Sequence, residues 1–197
     1  MRILLVVAWL FVGLGGLIYH YGPGQEQLEI DKVSGLLKDA RHLVDDQEWS
    51  EAVDAFDVVL AELPGDKVEE SRRVTLELAK AQMMAAQLPK ARENLQGLLS
   101  DLRDDGCEDE EFVANVQSTL ANSQYYTTWL MRLEGLPEEE WMPEIEAARQ
   151  HYTQLTKKAE TSGDDKLLST SLEDLESSIR LARMDLSDLQ ALPLPSQ

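Results

Sequence analysis

The chain has 197 residues, of which 18 are lysine or arginine and 37 are aspartate or glutamate, so its formal net charge is −19 at pH 7. An anionic surface repels the phosphate backbone of nucleic acids, and the composition therefore predicts no nucleic-acid binding. The hydrophobic fraction of 43% excludes a wholly disordered chain, since it supplies enough apolar side chains for a packed core. The length allows one domain or two small ones.

The start of the chain carries the strongest local signal. Residues 3–19 contain no charged side chain, and these 17 residues would span ~26 Å as a helix, which is just enough to cross the hydrocarbon core of a bilayer. Aromatic side chains follow at 19–21, where an interfacial belt is expected. Arg2 precedes the run and acidic residues follow it, so the positive-inside rule predicts a cytoplasmic N-terminus and an extracytoplasmic domain.

A cleaved signal peptide is the alternative interpretation of this segment, and it would leave a secreted or periplasmic protein. The apolar run is slightly long for a signal peptide, and no Ala-x-Ala cleavage site follows it. We therefore predict a single-pass membrane anchor over residues 1–24.

The rest of the chain predicts an all-α protein. It is rich in alanine, leucine, glutamate, lysine and glutamine, which favour helices, and its apolar residues recur every three or four positions. Glycine and proline separate the periodic segments, and the short loops favour antiparallel helical hairpins. The predicted helices cover 27–46, 49–63, 67–87, 89–104, 108–134, 138–161 and 164–190.

Two of the predicted helix pairs share a spacing of small residues. Ala40 and Ala52 lie twelve residues apart, and so do Ala79 and Ala91. Each pair spans the turn between two helices, where alanine lets the helix backbones approach closely. The first helix pair also carries Trp49 at its turn, Phe56 in its second helix, where it would fill the space between one hairpin and the next, and Pro64 after that helix.

This pattern resembles the tetratricopeptide repeat family, in which each repeat of ~34 residues folds as a helix–turn–helix. The resemblance is clearest over residues 30–100. A degenerate third unit over 108–160 carries Ala121 and Ala147 and contains an insertion at 135–143.

The resemblance implies a fold and a division of the chain. After the N-terminal transmembrane helix, residues 25–163 would form a short right-handed α-solenoid of TPR-like hairpins. Residues 164–197 would form a C-terminal capping helix and a tail that contains proline. In the family, the first helix of each hairpin lines a concave surface that binds protein or peptide partners.

Carried over to this sequence, the family's groove positions give a set of partner-binding residues. Arg41 and Lys80 occupy equivalent places and would suit an extended segment with apolar side chains and a carboxylate. The resemblance therefore implies a membrane-tethered interaction scaffold or adaptor with an unidentified protein or peptide partner. The predicted groove residues are Leu37, Arg41, Val44, Leu76, Lys80, Met83, Met84, Asn122, Tyr125 and Tyr126, and Asp45 lies beside them.

The sequence contains no recognisable catalytic or metal-binding motif. Its three histidines lie in separate segments, and no H-E-x-x-H, G-x-S-x-G or phosphate loop is present. The acidic stretch from Asp101 fails as a calcium loop, because Arg103 stands at its third position and Phe112 at its twelfth. Cys107 is the single cysteine and cannot form an internal disulfide. We therefore predict that the protein is not an enzyme and has no cofactor or metal site.

Two further features leave alternatives open. The aromatic group near the insertion is either core or an exposed recognition surface; it comprises Tyr125, Tyr126, Trp129, Trp141 and Tyr152. The last predicted helix has leucine-rich three-four spacing, which is typical either of a cap packed onto the preceding helices or of a coiled coil. The coiled coil would make the protein a self-associating structural protein, and the sequence alone does not decide the oligomeric state. The residues with this spacing are Leu172, Leu175, Ile179, Ala182, Leu186 and Leu189.

Overall fold

The computed structural model describes the backbone of residues 23–191 and the side chains of residues 30–189. Over that part of the chain the protein forms eight helices and no strand, and the all-α prediction is confirmed. The helices are α1 (Pro23–Asp45), α2 (Trp49–Glu62), α3 (Val68–Met84), α4 (Leu88–Asp104), α5 (Glu110–Leu133), α6 (Glu138–Ser162), α7 (Asp165–Arg183) and α8 (Leu186–Ala191).

The predicted membrane anchor at residues 3–19 lies outside the described residues. Among the helices from residue 23 to residue 191, none is both long enough and apolar enough to span a bilayer. The first described helix begins at Pro23, earlier than the predicted start at residue 27. Proline suits the first turn of a helix because the N–H that it lacks would have no helical partner there.

The last predicted helix, 164–190, is two helices in the structure. The chain leaves the helical conformation at Met184, which has φ −70° and ψ 143°, and it resumes a short helix at Leu186. From α2 onward, the other helix boundaries lie within three residues of the predicted ones. Glycine, proline or charged residues near these boundaries mark them in the sequence.

The helices divide into two compact units after Lys67. In the first unit, α1 and α2 form a hairpin, and Ala40, Ala52 and Phe56 are fully buried. Lys32 Nζ in the middle of α1 donates to Glu62 Oε2 at the end of α2 at 2.6 Å.

The turn between α1 and α2 has the same backbone geometry as the turn between α3 and α4. Gln47 and Ala86 both adopt the left-handed conformation, with φ of 61° and 59°. The residue after each one donates its N–H to the carbonyl five residues earlier, at 2.9 Å in the first turn and 2.8 Å in the second. This pattern is the Schellman motif that ends many helices. The two hairpins are built alike, as their alanine spacing predicts, and the small residues that flank the turns are all fully buried: Ala40, Ala52, Ala79 and Ala91.

In the second unit, five long helices form two layers. α5 contacts both α3 and α7, so these three helices lie side by side in what we call the front layer. α4 packs against α3 and α5, and α6 packs against α5 and α7, so α4 and α6 form a back layer. Arg92 of α4 donates to the carboxylate of Glu144 in α6 and joins the two back-layer helices.

Two apolar clusters hold these layers together. One joins α3, α4 and α5 around Ala79 and Leu95, and the other joins α5, α6, α7 and α8 around Ala121 and Tyr152. The small residue of α6 in the second cluster is Ala148, which is fully buried, whereas the predicted Ala147 is only half-buried. In the predicted third repeat, the small residue at the helix contact is therefore Ala148, one residue after the predicted Ala147.

Candidate binding surface on the front layer

Lys80 of α3 reaches across the front layer to α5. Its Nζ donates to Asn115 Oδ1 at 3.2 Å. Two turns earlier on α3, Arg73 donates to Asp109 Oδ2 at 3.0 Å, and its guanidinium lies 5.2 Å from the centre of the Phe112 ring. Side chains of α3 therefore meet side chains of α5 that lie 35 and 36 positions later in the chain.

The way α5 is aligned with α3 places a different residue beside Lys80 from the one that the sequence predicts. The neighbour is Asn115, seven residues before the Asn122 that the alignment on Ala121 predicts. Asn122 is half-buried, and its Oδ1 accepts a hydrogen bond from the Tyr152 hydroxyl of α6 at 2.6 Å. Asn122 thus ties α5 to α6 in the back layer, and Asn115 takes the predicted place on the front layer.

The Lys80 residue is exposed, but its ammonium lies close enough to the protein to lose part of its hydration. This desolvation lowers the pKa of Lys80 from its ordinary value, and the charge of Glu77 acts in the opposite direction. A partly desolvated cation gives up less hydration when it binds an anionic or carbonyl oxygen. Lys80 is therefore suited to receiving a polar group of a partner.

Tyr125 and Tyr126 lie on α5, on the side that is near Asp174 of α7. Their ring centres are 5.7 Å apart and their planes meet at 83°, which is the favourable edge-to-face arrangement. Both residues are half-buried, and burial raises the pKa of each phenol, as does the nearby carboxylate of Asp174 in α7. Desolvation also raises the pKa of Asp174 above its ordinary value. We call Tyr125, Tyr126 and Asp174 the tyrosine patch.

The tyrosine patch offers both apolar and hydrogen-bonding surface. Its phenols keep their protons at neutral pH, because their pKa values lie above an ordinary value of 10.0. One turn beyond Tyr126, Leu130 is 40% exposed and adds apolar surface. Rings, hydroxyl groups and an exposed leucine together are typical of surfaces that bind peptides or proteins.

The other aromatic residues of the predicted group belong to the core. Trp129 and Trp141 are each 7% exposed and Tyr152 is 1% exposed. Arg132 donates hydrogen bonds to the backbone carbonyls of Leu181 and Met184, and its guanidinium lies 4.8 Å from the centre of the Trp141 ring. Of the five aromatic residues that the sequence left as either core or recognition surface, three therefore lie in the core and two are partly exposed.

The remaining predicted groove residues differ in their exposure. Leu76 is only 5% exposed and packs in the core cluster of α3, α4 and α5, so it does not line an open groove. Met83 is half-buried and packs against the same cluster, and Met84 is half-buried at the end of α3. The first-unit residues Leu37, Val44 and Arg41 lie on α1, where the two apolar side chains are half-buried and the arginine is exposed.

A surface hollow of about 560 Å³ lies between the first turns of α5 and α7. Asn115 and Ser118 of α5 line it, as do Lys166 and Thr170 of α7. Lys158 crosses its edge and donates to the Glu110 carbonyl at 2.9 Å. Across the residues with described side chains, no group of three or more histidine, cysteine, aspartate or glutamate residues is placed to hold a metal ion.

Sequence reasoning missed two residues of this surface, Asn115 and Asp174. Asn115 could have been found by stepping one repeat length, ~34 residues, from Lys80 instead of aligning Ala121 with the earlier alanines. Asp174 had no comparable signal, because its place depends on which side of α7 packs inward.

The sequence matches no protein-family model and shows no significant similarity to any curated protein.

Proposed function

We propose that the protein is a protein-binding scaffold that holds an extended segment of a partner on the front layer of its second unit. The observation that carries this proposal is the run of accessible polar and aromatic side chains across three neighbouring helices. Lys80 and Asn115 meet between α3 and α5, and the tyrosine patch lies between α5 and α7. An extended peptide needs this combination of hydrogen-bonding groups and apolar contacts along one surface.

The proposed fold family is that of the tetratricopeptide repeats. Two hairpins have the same turn geometry and the same buried alanines, and their corresponding residues are 39 positions apart. The offset of 35 between Lys80 and Asn115 is close to the family's repeat length of ~34 residues. The layered packing of first helices in front and second helices behind agrees with such repeats.

The residues at this surface also fit the proposed partner chemistry. Lys80 and Asn115 supply donors for a carboxylate or for backbone carbonyls, and Met84 supplies adaptable apolar area nearby on α3. On a chain with a net charge of −19, a local cation would favour a partner group that carries negative charge.

Binding can be tested with a display library of extended peptides that end in a free carboxylate. Peptides selected on the intact protein should lose affinity for the Lys80→Glu variant by at least tenfold, which corresponds to ~1.4 kcal/mol. Asn115→Ala should lose less, since a neutral hydrogen bond is removed and no charge is reversed.

Lys90→Glu is the control, because Lys90 is also exposed but lies at the start of the back-layer helix α4. If Lys90→Glu weakens binding as much as Lys80→Glu does, general charge explains the effect and the front layer is not the binding surface. Arg41→Glu, tested separately, measures whether the first unit contributes to binding as the sequence predicts.

We also propose that residues 3–19 anchor the scaffold in a membrane with the helical domain on the extracytoplasmic side. The basis is the uncharged run in the sequence. The full chain should remain in membranes during carbonate extraction, and protease added from the outer side should digest the domain. A mature chain that begins near Gly24 would instead establish a cleaved signal peptide.

A further inference from the structure

Asp174 of α7 is half-buried, and its charge acts on three tyrosines of the neighbouring helices. Burial is the main cause that raises the pKa values of Tyr125, Tyr126 and Tyr152, and the charge of Asp174 adds to the rise in each. Tyr152 lies on α6 and is only 1% exposed. Because water strongly screens the charge of a fully solvated carboxylate, this effect on a core residue indicates that Asp174 lies on the inner side of α7, facing the tyrosine patch.

Asp174 has no cation to balance it within the part of the chain whose side chains are described. Desolvation raises its pKa, the charge of the neighbouring Glu173 acts in the same direction, and no cation opposes them. Arg180 lies near Tyr125, but it is exposed and donates to Glu176 on its own helix at 2.8 Å. A carboxylate that has lost part of its hydration without gaining a cationic partner is suited to binding a cation from another molecule.

The rings of the tyrosine patch offer the rest of a cation site. The planes of Tyr125 and Tyr126 meet at 83°, so the faces of the two rings form a corner. The face of an aromatic ring is negative and attracts a cation within about 6 Å of the ring centre. Over the residues with described side chains, cations lie over the rings of Phe112 and Trp141, whereas neither tyrosine of the patch has one. Both the rings and the carboxylate therefore lack a cationic partner.

We propose that the tyrosine patch binds a lysine side chain of the partner, with the ammonium group between the Asp174 carboxylate and the faces of Tyr125 and Tyr126. The proposal rests on the proposed function, since it adds a second contact for the same extended segment. An ammonium group is compact and can contact two rings that meet at a right angle, whereas a planar guanidinium stacks flat on one ring. The net charge of −19 also attracts a basic group to this surface.

The distance along α5 sets the position of this lysine in the partner. Tyr126 follows Asn115 by eleven residues on the same helix, which corresponds to ~16 Å along the helix axis. An extended peptide covers ~3.3 Å per residue, so about five residues span this distance. The lysine should therefore lie about five positions from the carboxylate that Lys80 and Asn115 receive.

Peptide selection on the full chain in detergent micelles tests the lysine site. The library holds peptides that have a free C-terminal carboxylate and randomised positions before it. Peptides selected on the intact protein should be enriched in lysine about five positions before the C-terminus. Asp174→Asn should abolish this enrichment and weaken a selected lysine peptide by about tenfold, since it removes the charge and keeps the shape. Glu173→Gln, which removes the same charge from the exposed neighbouring residue, is the matched control and should keep both.

Three further variants test the chemistry of the site. Asp174→Lys should change the preference at the same peptide position from lysine to an acidic residue, an exchange that a purely structural role of Asp174 does not produce. Tyr126→Leu should weaken the selected lysine peptide by roughly two- to fivefold, whereas Tyr126→Phe, which keeps the ring, should not. Thermal melts verify that each variant remains folded.

The outcomes separate the lysine site from the scaffold. Peptides that require Lys80 but show no lysine preference, or that bind Asp174→Asn as tightly as the intact protein, would overturn the lysine site and leave the front-layer scaffold standing. Enrichment of arginine in place of lysine would overturn the assignment to lysine. A library from which no peptide binds the intact protein would overturn both proposals.

Discussion

Replacing Arg132 by methionine should destabilise the second unit more than any other removal of a single charge on α5. Arg132 is half-buried and donates from both terminal nitrogens to the carbonyls of Leu181 and Met184, where α7 ends. Its guanidinium also lies 4.8 Å from the centre of the Trp141 ring in α6. One side chain of α5 thus holds the end of α7 and packs on α6.

The expected loss follows from these contacts. A hydrogen bond to a charged group contributes ~1.5–3 kcal/mol, and a cation over an indole ring contributes ~0.5–2 kcal/mol. Methionine keeps part of the apolar contact, water reaches the freed carbonyls at the helix end, and the contributions are not additive. We therefore expect Arg132→Met to lower the free energy of unfolding by ~3 kcal/mol, which corresponds to a melting temperature lower by roughly 6–12 °C.

Urea unfolding followed by circular dichroism measures this loss. The matched control is Arg180→Met, because Arg180 also lies in the last turns of α7 but is exposed and pairs with Glu176 at 2.8 Å on its own helix. Such a pair contributes only ~0.3–0.5 kcal/mol. Arg132→Lys should lie between the two, since an ammonium cannot donate to both carbonyls in the same planar geometry. Losses for Arg132→Met and Arg180→Met that agree within ~0.5 kcal/mol would refute the assigned role.

Three further predictions test the packing and the titration of the protein. Ala52→Leu should destabilise by ~1–3 kcal/mol because Ala52 is fully buried at a helix contact, whereas Leu at the exposed Glu51 should change stability by no more than ~0.5 kcal/mol; equal melting shifts would contradict the hairpin register. Ala86→Gly should stabilise by ~1 kcal/mol in urea unfolding, since Ala86 has φ 59°, and the neighbouring Ala85→Gly should not. Burial lowers the folded-state pKa of His151 below its ordinary value of 6.5, so the unfolded chain takes up the proton first as the pH falls. Stability should therefore decline from about pH 6.5 down to that lower pKa, and an unchanged slope in His151→Gln would exclude this residue as the cause.

The positions of the helices could be predicted from the sequence because local chemistry decides them. Glycine at 106, 135 and 163 adopts positive φ at three helix ends, a conformation that few other residues tolerate. These helix ends can therefore be predicted from the glycines alone, without knowledge of the tertiary contacts. The buried alanines of the first two hairpins were equally readable, since a fixed spacing of small residues reports a close helix contact.

The rest depended on contacts between distant parts of the chain. The break at Met184 carries neither glycine nor proline. The carbonyl of Met184 accepts a hydrogen bond from Arg132, which lies 52 positions earlier in the chain. The burial of Leu76 and the replacement of Asn122 by Asn115 both follow from how α5 is aligned with α3, which no local pattern records. The neighbours of the individual side chains on the candidate surface therefore depend on the packing, which the sequence pattern does not record.

The hydrogen bond between Tyr152 and Asn122 has a mechanical consequence. Apolar helix faces can slide along each other by a turn and still bury similar area, but a shift of ~5.4 Å would separate this phenol from its amide acceptor inside a dry contact. An unpaired buried polar group costs ~1–3 kcal/mol, so this hydrogen bond favours a single position of α6 along α5. Tyr125 and Tyr126 follow Asn122 by one turn on α5, and the same hydrogen bond therefore also fixes the height of their rings relative to α6.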